Sequence, residues 1–506
     1  MKNAYLLLDK DYKIGKVSDR LFGSFVEHMG SVVYNGIYEP GHPEADKNGF
    51  RKDVLKLVKD LNLSVIRYPG GNFTSGYNWE DTVGPKEKRP VKLDLAWRAY
   101  EPNTFGLNEF LMWARMLDVA PMISVNLGIR GIDAARNLVE YCNFPQGSYW
   151  SDLRKSHGFP VPHQIKLWCL GNELDGEWQI ARKTPDEYGR LACETAKVMK
   201  LIDPQIQLVA VGSSTRRMSS YPEWDRTVLM HTYEQVEYLS LHNYIDKVED
   251  PAEYLARPLE IERQIQEIIA VCDCVKAVKR SDKTMYLSFD EWNIHRSPDL
   301  RYEPWQTGSP YDWCRFDMLD TLVFGSMLLT LLRNANRVKI ACQALLVNTI
   351  PLILTQKGGK AWRNPTYYPL LHASRFGRGE VLLPRLKTPK YDTPNYTGVP
   401  VIDTVAVYNE DKKTITVFAI NRSAEPVLLN IEFRGVGCYL LDHTELSHND
   451  LNKVNTSEDP DAIQPFMCKN SKMKDGNGEC LLNGYSWNVI RFGISESGKI
   501  DFRNLG

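Results

Sequence analysis

The chain has 506 residues, of which 43% are hydrophobic and 25% charged, a composition typical of globular proteins that form a large core. A formal net charge of −1 argues against general binding to nucleic acid or to an anionic membrane surface. No apolar stretch reaches the roughly 18 residues that would predict a membrane-spanning helix.

The N-terminus, "MKNAYLLLDKDYKIGKV", is expected to form strands. Its apolar stretch is short and contains charged residues, so it lacks the pattern of a secretory signal peptide. The ten cysteines are dispersed and none has the spacing of a zinc site, which is typical of free thiols in a reducing compartment. These features predict a cytoplasmic protein without structural zinc.

From about residue 17 to residue 350, buried-strand patterns alternate with helical ones. The apolar runs that predict strands are 21–30, 63–72, 120–128, 165–173, 206–214, 236–244, 284–293 and 338–348. Helical spacing of apolar residues predicts helices over 50–62, 105–118, 133–143, 184–203, 259–278 and 316–335. The helix at 184–203 also carries a start signal, with Thr184 as N-cap and Pro185 at its first position.

Eight strand–helix alternations predict a parallel sheet whose strands are buried on both faces. Eight repeats favour an α/β fold of the TIM-barrel type, a (β/α)8 barrel, over an open doubly wound sheet. No G-x-G-x-x-G sequence follows the first predicted strand, which removes the dinucleotide-binding form of the open sheet.

The pattern changes near residue 385. Segment 404–423 predicts two strands joined by a turn at 409–413, and further strand patterns follow with no helix between them. Segment 450–480 is polar and rich in Gly, Asn and Asp, and is predicted to be a long loop. We expect three units: N-terminal strands at 1–16, a barrel at 17–384, and a jelly-roll-like β-sandwich at 385–506 that also takes in the N-terminal strands.

Polar side chains follow the predicted barrel strands, at the end of the barrel where TIM-barrel enzymes build their active sites. These strand ends carry carboxylates, amides and aromatic residues, few lysines and no Ser-His-Asp set. They include Glu27, Arg67, Asn72, Asn126, Asn172, Glu173, His242, Tyr244, Asp290 and Glu291.

Two of these acids, Glu173 and Glu291, terminate predicted strands four and seven. A single acid at a strand end is more often a helix cap or an ion-pair partner. Two acids across a barrel mouth fit a glycosidase, which uses one as acid/base and one as nucleophile or base. Strands three apart can place the carboxyl groups about 5–5.5 Å apart, the separation of retaining enzymes. Glu173 then needs a raised pKa, which an anionic Glu291 nearby would supply.

Metal and phosphate chemistry are the alternatives for these residues. No HExxH or HxH motif occurs, and His28, His242 and His295 form no close His/Asp cluster in the sequence. The "PGGN" at 69–72 is not a P-loop, and its glycine pair more simply lets the backbone turn near a ligand. We therefore predict no metal and no cofactor.

Four segments carry a family resemblance, in the same order along the chain. They are "RYPGGNFTSGYNWEDTVGP" (67–85), "NLGIRGIDAARNLVEYCN" (126–143), "LWCLGNELDGEWQI" (167–180) and "FDEWN" (289–293). They resemble the α-L-arabinofuranosidases of glycoside hydrolase family 51, and the match runs along essentially the whole barrel. The resemblance implies a retaining double displacement without cofactor, in an enzyme that is commonly intracellular and oligomeric, often hexameric.

The resemblance also implies roles for individual residues. Glu173, in "GNE", would be the general acid/base, and Glu291, in "DEW", the nucleophile. Arg67 would act on the sugar or by fixing nearby carboxylates. The predicted substrate-binding residues are Glu27, Arg67, Asn72, Asn172, His242, Tyr244 and Trp97, the last lining the approach for the rest of the substrate.

Two positions depart from the family pattern. Residues 344–348 read "ALLVN" where members often read "AQLVN", so Leu345 replaces a glutamine that contacts the sugar. Gln343 is the candidate substitute, because a residue two positions earlier on a strand points to the same side. His295 stands where members often carry an aromatic residue, four positions after the nucleophile.

The sequence therefore predicts a homo-oligomeric, exo-acting α-L-arabinofuranosidase that trims arabino- or arabinoxylo-oligosaccharides. Leu345 and His295 keep open another retaining glycosidase on the same barrel, such as a galactofuranosidase, β-xylosidase or endoglucanase. A non-catalytic carbohydrate-binding protein is a distant alternative, since both carboxylates are kept.

Overall fold

The structure is a computed structural model that describes residues 2–296, 304–309 and 314–495. Its strands are β1 (Lys2–Asp9), β2 (Lys13–Lys16), β3 (Gly23–Phe25), β4 (Val65–Tyr68), β5 (Lys92–Asp94), β6 (Ala99–Glu101), β7 (Ala120–Ser124), β8 (Leu167–Cys169), β9 (Gln207–Ala210), β10 (Tyr238–Asp246), β11 (Tyr286–His295), β12 (Val338–Gln343), β13 (Ile353–Thr355), β14 (Ala361–Arg363), β15 (Glu380–Leu382), β16 (Arg385–Lys387), β17 (Lys390–Tyr391), β18 (Val399–Pro400), β19 (Ile402–Asn409), β20 (Thr414–Asn421), β21 (Val427–Arg434), β22 (Gly437–Leu446), β23 (Phe466–Met467), β24 (Ser471–Lys474), β25 (Asn477–Leu482) and β26 (Ser486–Ser495). Its helices are α1 (Lys52–Asp60), α2 (Leu107–Leu117), α3 (Ile132–Asn143), α4 (Tyr149–Ser156), α5 (Pro185–Ile202), α6 (Glu223–Thr232), α7 (Pro251–Ala256), α8 (Leu259–Lys279), α9 (Met318–Arg333) and α10 (Tyr367–Phe376).

Eight parallel strands close into a barrel in chain order. The order is β3, β4, β7, β8, β9, β10, β11 and β12, and β12 pairs with β3 to complete the circle. Each of the eight predicted strand segments overlaps one of these strands, so the TIM-barrel prediction is confirmed. All residues of β4 and β8 are buried, as expected for strands with side chains filling the barrel on one face and helices covering the other.

The predicted helices are also present, and their ends follow from the local sequence. At the start of α5, Thr184 Oγ1 accepts from the Glu187 backbone amide at 3.3 Å, and the Glu187 carboxylate accepts from the Thr184 amide at 2.8 Å. This reciprocal pair satisfies two amides that the first helical turn leaves without partners. With Pro185 at the first position, the predicted helix start is confirmed.

The second domain is a sandwich of two sheets. One sheet has the order β16-β1-β21-β25-β24, and the other has the order β2-β15-β19-β20-β26-β22-β23. β1 runs parallel to β21, and β2 pairs with β15, so both N-terminal strands lie in the sandwich as predicted. After the barrel, the first strand of the sandwich is β15, which begins at Glu380, just before the expected boundary at residue 385.

The prediction of a long loop over 450–480 is wrong in its second half. β23, β24 and the start of β25 lie there, and β24 pairs with β25 around Asp475 and Gly476, whose φ angles are 49° and 78°. An Asp-Gly pair with positive φ at both residues is a strong hairpin signal. The polar composition of β24 concealed it, because this strand lies at the edge of its sheet, where polar side chains face water.

Helix α9 joins the barrel to the sandwich. All of its residues from Met318 to Leu332 are buried, because it packs against barrel strands on one side and against β19, β20 and β26 on the other. A Cβ added at Gly325 would lie 2.7 Å from the Trp487 ring, so the glycine lets β26 approach the helix. Within the described residues, no helix is long and apolar enough to cross a membrane.

A buried ion cluster ties the same helix to the sandwich. The Asp403 carboxylate, on β19, accepts from Arg422 at 2.7 Å and pairs with Arg333 of α9. Ser326 of α9 donates to the same carboxylate. Burial raises the pKa of Asp403, but the two guanidinium groups outweigh burial and bring it below its ordinary value. The cluster therefore stabilises the interface only while Asp403 is ionised.

We expect Asp403→Ala to destabilise the protein by about 3–5 kcal/mol, because it leaves the buried Arg422 guanidinium without an anion. Thermal unfolding monitored by circular dichroism should show a midpoint several degrees lower at neutral pH. Since a carboxyl with a depressed pKa stabilises above its unfolded pKa, the difference should shrink as the pH falls through the folded pKa of Asp403.

The matched control is Glu425→Ala, which removes an exposed ion pair with Lys2 and should change stability by less than about 0.5 kcal/mol. Equal midpoints for the two variants would show that the buried cluster does not stabilise the interface.

Candidate active site

The predicted site residues converge at the mouth of the barrel. Glu173 follows β8, Tyr244 lies on β10, and Glu291 lies on β11. Parallel strands point the same way around a barrel, so their carboxyl ends meet at one rim. All three side chains line one cavity of about 550 Å³.

Irregular pairing around β11 turns two neighbouring acids toward the same interior. In a regular strand, adjacent side chains point to opposite faces. The ladder register shifts beside Asp290 and Glu291, both toward β10 and toward β12. Such bulges re-aim side chains, and here both carboxylates lie within 4 Å of the Arg67 guanidinium.

Arg67, buried on β4, holds Glu291 in place. Its Nη1 donates to Glu291 Oε1 at 2.6 Å, and its Nη2 donates to Asn172 Oδ1 at 2.7 Å. The Tyr244 hydroxyl donates to the other oxygen, Glu291 Oε2, at 2.8 Å. The Phe25 ring packs on the guanidinium with 4.9 Å between Cζ and the ring centroid. Glu291 is therefore fixed through both oxygens, with its negative charge paired.

Glu173 has a different environment. Its Oε2 accepts from Trp178 Nε1 at 2.6 Å, and its Oε1 lies 2.8 Å from His242 Nδ1. Burial and then the charge of Glu291 raise the pKa of Glu173, and they outweigh the hydrogen bonds from His242 and Trp178, which lower it. The shift favours the protonated form that a general acid requires.

His242 lies among three acids. Its Nδ1 is 3.6 Å from Glu291 Oε2 in addition to its contact with Glu173, and its Nε2 is 3.5 Å from Asp290 Oδ1. Burial lowers the pKa of His242, but the charges of Glu291, Asp290 and Glu173 outweigh it and raise the pKa to about 10. The ring is therefore an imidazolium at neutral pH. Burial also raises the pKa of Asp290, but Arg67 and this imidazolium hold it below its ordinary value.

The same residues meet the spacing of metal ligands. One ligand atom each from Glu173, His242 and Glu291 lie within 4.8 Å of one another. The carboxylate oxygens already accept hydrogen bonds from Arg67, Tyr244 and Trp178.

Glu27 forms another part of the cavity wall. Its Oε1 accepts from the Phe73 amide at 3.0 Å and from Trp97 Nε1 at 2.9 Å. A Cβ added at Gly71 would lie 2.7 Å from Glu27 Oε2, so this glycine of "PGGN" makes room for the carboxyl. Burial, followed by the charge of Glu291, raises the pKa of Glu27 to about 8. At neutral pH, Glu27 is mostly protonated and can donate a hydrogen bond into the cavity.

The two predicted catalytic carboxyls are closer to the separation of retaining glycosidases than to that of inverting ones. Oxygens of Glu173 and Glu291 lie within 4.8 Å of each other. Retaining glycosidases hold their carboxyl groups about 5–5.5 Å apart, and inverting ones about 6.5–9.5 Å apart. One acid is shifted toward its neutral form and the other is paired with cations, which is the division that acid and nucleophile need.

Comparisons with known proteins agree with this geometry. The chain matches the α-L-arabinofuranosidase 1 domain over residues 57–250 and the α-L-arabinofuranosidase C-terminal domain over residues 290–486. It is 52% identical over 496 residues to intracellular exo-α-(1→5)-L-arabinofuranosidase 1 of Bacillus subtilis, with 97% of this chain and 99% of the relative covered. It is 49% identical over 496 residues to the intracellular exo-α-(1→5)-L-arabinofuranosidase of Halalkalibacterium halodurans, with the same coverage.

The fold agrees as well. A solved structure of a family 51 α-L-arabinofuranosidase from Bifidobacterium longum superposes with a TM-score of 0.94 at 38% identity, covering 97% of this chain and 100% of that one. The chain belongs to glycoside hydrolase family 51. The predicted family and the prediction of a glycoside hydrolase are thereby confirmed.

The cavity of this family 51 protein is lined by both apolar and polar residues. Leu345 and Ile350 are among the apolar ones. Among the polar ones is His295, whose Nδ1 lies 3.0 Å from Asp246 Oδ1. Arg217 pairs with the same carboxylate at 3.3 Å. The two departures seen in the sequence therefore both face the cavity.

The expected substitution of Gln343 for the missing glutamine is not supported by its position. Gln343 is fully buried and does not line the cavity. Its Oε1 accepts from Ser24 Oγ at 3.0 Å, and its Nε2 donates to the Leu345 and Ile350 carbonyls at 3.0 and 3.4 Å. The amide is used to hold the segment that carries Leu345, so it is not available to a sugar.

The other predicted binding residues fall into two groups. Glu27, Asn72, Trp97 and Tyr244 line the cavity. Arg67, Asn172 and His242 are buried and contact the lining residues Glu291, Asn72 and Glu173 respectively. For Arg67, the alternative of fixing nearby carboxylates is the one that the contacts support.

Sequence reasoning missed two contributors. Trp178 lines the cavity and donates to Glu173, and it stands in "GNELDGEW", the segment already singled out for Glu173. Asp290 was noted as a strand-end acid, but without a role. Its contact with Arg67 and His242 depends on the bulge in β11, which periodicity does not show.

Glu27→Gln should keep kcat/KM for 4-nitrophenyl α-L-arabinofuranoside within about tenfold of wild type at pH 7, because a protonated carboxyl and an amide both donate hydrogen bonds. Glu27→Ala should lose about 100-fold or more. In wild type, kcat/KM should fall as the pH rises through about 8. Above this pH the Glu27 carboxyl has lost its proton, so it can no longer donate a hydrogen bond and it adds a negative charge beside Glu291.

Glu27→Gln should move this alkaline limb to higher pH. An identical alkaline limb in the two proteins would contradict the assignment to Glu27 and leave Glu173 as its source.

Proposed function

We propose that this protein is a retaining, exo-acting α-L-arabinofuranosidase that releases terminal arabinofuranose from arabino- or arabinoxylo-oligosaccharides. Glu173 acts as the general acid/base and Glu291 as the nucleophile. The observation that carries the proposal is the carboxyl pair, whose oxygens lie within 4.8 Å at the end of a cavity and whose surroundings differ in charge.

In the first step, Glu291 attacks the anomeric carbon and forms an ester with the sugar. Glu173 gives its proton to the glycosidic oxygen, so the leaving group departs as a neutral alcohol. In the second step, Glu173, now ionised, takes a proton from water, and the water oxygen displaces Glu291 with a second inversion. Two inversions retain the configuration of the sugar.

Some residues of the site are placed to bind the sugar, and others act on the catalytic carboxyls. Glu27 and Asn72 face the cavity and are placed to bind sugar hydroxyls. Arg67 and His242 act through the carboxyls that they contact. Trp97 and Trp178 both line the cavity, and each donates its indole N–H to an acid. These hydrogen bonds fix the orientation of the two rings.

Substrate linkage and location are further parts of the proposal. The Bacillus subtilis and Halalkalibacterium halodurans relatives are named intracellular exo-α-(1→5)-L-arabinofuranosidases. We infer the same (1→5) preference and a cytoplasmic location, where short imported oligosaccharides would be the substrate. A homo-oligomer, with a hexamer as the form implied by the family resemblance, stays a prediction that light scattering coupled to size-exclusion chromatography can measure.

The two acids should respond differently to substitution. Glu291→Ala should reduce hydrolysis of 4-nitrophenyl α-L-arabinofuranoside by more than about 10⁴-fold, because no other group can form the ester. Glu173→Ala should lose about 10²–10⁴-fold with arabinobiose but much less with activated aryl leaving groups, which need no proton. Azide should rescue the activated reaction of Glu173→Ala and give a glycosyl azide of retained configuration.

Glu177→Ala is the matched control for this experiment, because this acid lies near Glu173 in sequence but is exposed and paired with Arg182. It should behave as wild type. An inverted azide product, or undiminished turnover by Glu291→Ala, would overturn the assignment of roles.

Linkage preference can be measured directly by product chromatography. The (1→5)-linked arabinobiose should be cleaved with a higher kcat/KM than (1→6)- or (1→3)-linked arabinosides, and nitrophenyl β-galactofuranoside and β-xyloside should be poor substrates. A galactofuranoside or xyloside cleaved faster than the arabinofuranoside would show that Leu345 and His295 have changed the sugar that is accepted.

A further inference from the structure

A second cluster of metal-ligand side chains lies in the sandwich domain, away from the barrel mouth. His443 and Glu445 stand two residues apart on β22 and face the same side, and Cys468 follows β23. A ring nitrogen of His443, a carboxylate oxygen of Glu445 and Cys468 Sγ lie within 4.8 Å of one another. The Cys468 thiol lies 3.6 Å from Glu445 Oε2.

Among the described residues, the buried acid Glu445 has no cationic side chain paired with it. It is fully buried, and its hydrogen-bond partners in the described part of the chain are the Ser447 hydroxyl at 2.6 Å, the Asn483 amide at 2.8 Å and the Cys468 thiol. None of these carries a positive charge. Buried carboxylates are ordinarily paired with a cationic side chain or coordinate a metal ion.

The surrounding hydrogen bonds occupy one side-chain oxygen of Glu445 and one ring nitrogen of His443. Ser447 and Asn483 both donate to Glu445 Oε1, which leaves Oε2 toward Cys468. His443 Nε2 lies 2.9 Å from Asn488 Oδ1, an acceptor, so this nitrogen carries the proton.

The second ring nitrogen then has the lone pair. His443 Nδ1 is 2.7 Å from the Ser471 hydroxyl, which can donate to it and can rotate away. Outer partners that fix the second atom of each ligand are typical of metal sites.

We propose that His443, Glu445 and Cys468 bind a zinc ion. Imidazole, thiolate and carboxylate together are ligands of Zn²⁺, whereas Ca²⁺ and Mg²⁺ take oxygen ligands. The fourth position is open to water, because Cys468 is only partly buried. On binding, Cys468 loses its proton to solvent and the Ser471 hydroxyl gives up Nδ1.

Zinc binding should therefore release a proton and tighten as the pH rises.

The site would anchor a long connection. The segment between β22 and β23 leaves the sandwich and packs on the barrel, where the Leu451 carbonyl accepts from the Met318 amide and Asn455 donates to the Arg363 carbonyl. Cys468 stands where this segment returns. A metal bond between Cys468 and β22 would close the connection, so zinc should raise the temperature at which the protein unfolds.

The test is the zinc content of the full-length protein after chelator treatment, reloading with Zn²⁺ and removal of the excess, measured by mass spectrometry of the metal. Wild type should hold one zinc per chain, and Cys468→Ser and His443→Gln should hold none. Cys438→Ser is the matched control, since Cys438 is a partly buried thiol on β22, the strand of His443 and Glu445, but lies outside the cluster. The Cys438→Ser variant should hold one zinc per chain.

Cobalt gives a readout that a structural role alone cannot produce. Co²⁺ added to metal-free wild type should give a thiolate-to-cobalt charge-transfer band that is absent in Cys468→Ser. Zinc should also raise the unfolding midpoint of wild type and Cys438→Ser, but not of Cys468→Ser.

Two results would overturn the proposal. One is a wild-type zinc content equal to that of Cys468→Ser. The other is zinc that persists in Cys468→Ser but is lost in Glu291→Gln, which would place the metal among the barrel acids. Circular dichroism of each metal-free variant confirms that loss of zinc is not loss of fold.

Discussion

The active site depends on how buried charges are balanced at the barrel mouth. Three acids, Glu173, Asp290 and Glu291, lie within 4 Å of a cation, Arg67 or His242, and the charge of Glu291 also acts on a fourth acid, Glu27. Burying four anions with two cations would leave two uncompensated charges, which is too costly in a dry interior. The pKa shifts reduce this excess of negative charge: Glu27 and Glu173 shift toward their neutral forms, and Asp290 shifts toward its ionised form. Glu291 is paired with Arg67.

The backbone supplies the positions that this balance requires. The bulge in β11 brings Asp290 and Glu291 to the same interior, where a regular strand would separate them. The glycine beside Glu27 lets that carboxyl sit against the backbone, out of water, which is the largest cause of its raised pKa. Acid/base properties here are therefore set as much by strand irregularity and backbone approach as by the identity of neighbouring side chains.

Sequence periodicity was sufficient for the barrel, because each buried strand is an apolar run bounded by turn residues. It also located Glu173 and Glu291, since strand ends converge in a barrel whatever their sequence. Periodicity could not distinguish the residues that line the cavity from the buried residues that contact them. Gln343, Arg67 and His242 lie at the right strand ends, but their side chains make hydrogen bonds with residues that are distant in sequence, Ser24, Glu291 and Glu173 respectively. The sandwich cluster was missed for the same reason, because zinc spacing rules describe ligands close in sequence.

The charge balance also explains how one residue could serve as acid and then as base in the proposed double displacement. After burial, the charge of Glu291 is the largest cause that raises the pKa of Glu173. Forming the ester removes that charge, while the imidazolium of His242 remains 2.8 Å from Glu173 and continues to favour its ionised form. The pKa of Glu173 should therefore fall when its proton has been delivered. His242 favours the ionised form of Glu173 only while its own ring is charged. Asp290, which does not react, preserves that charge on His242 through the cycle.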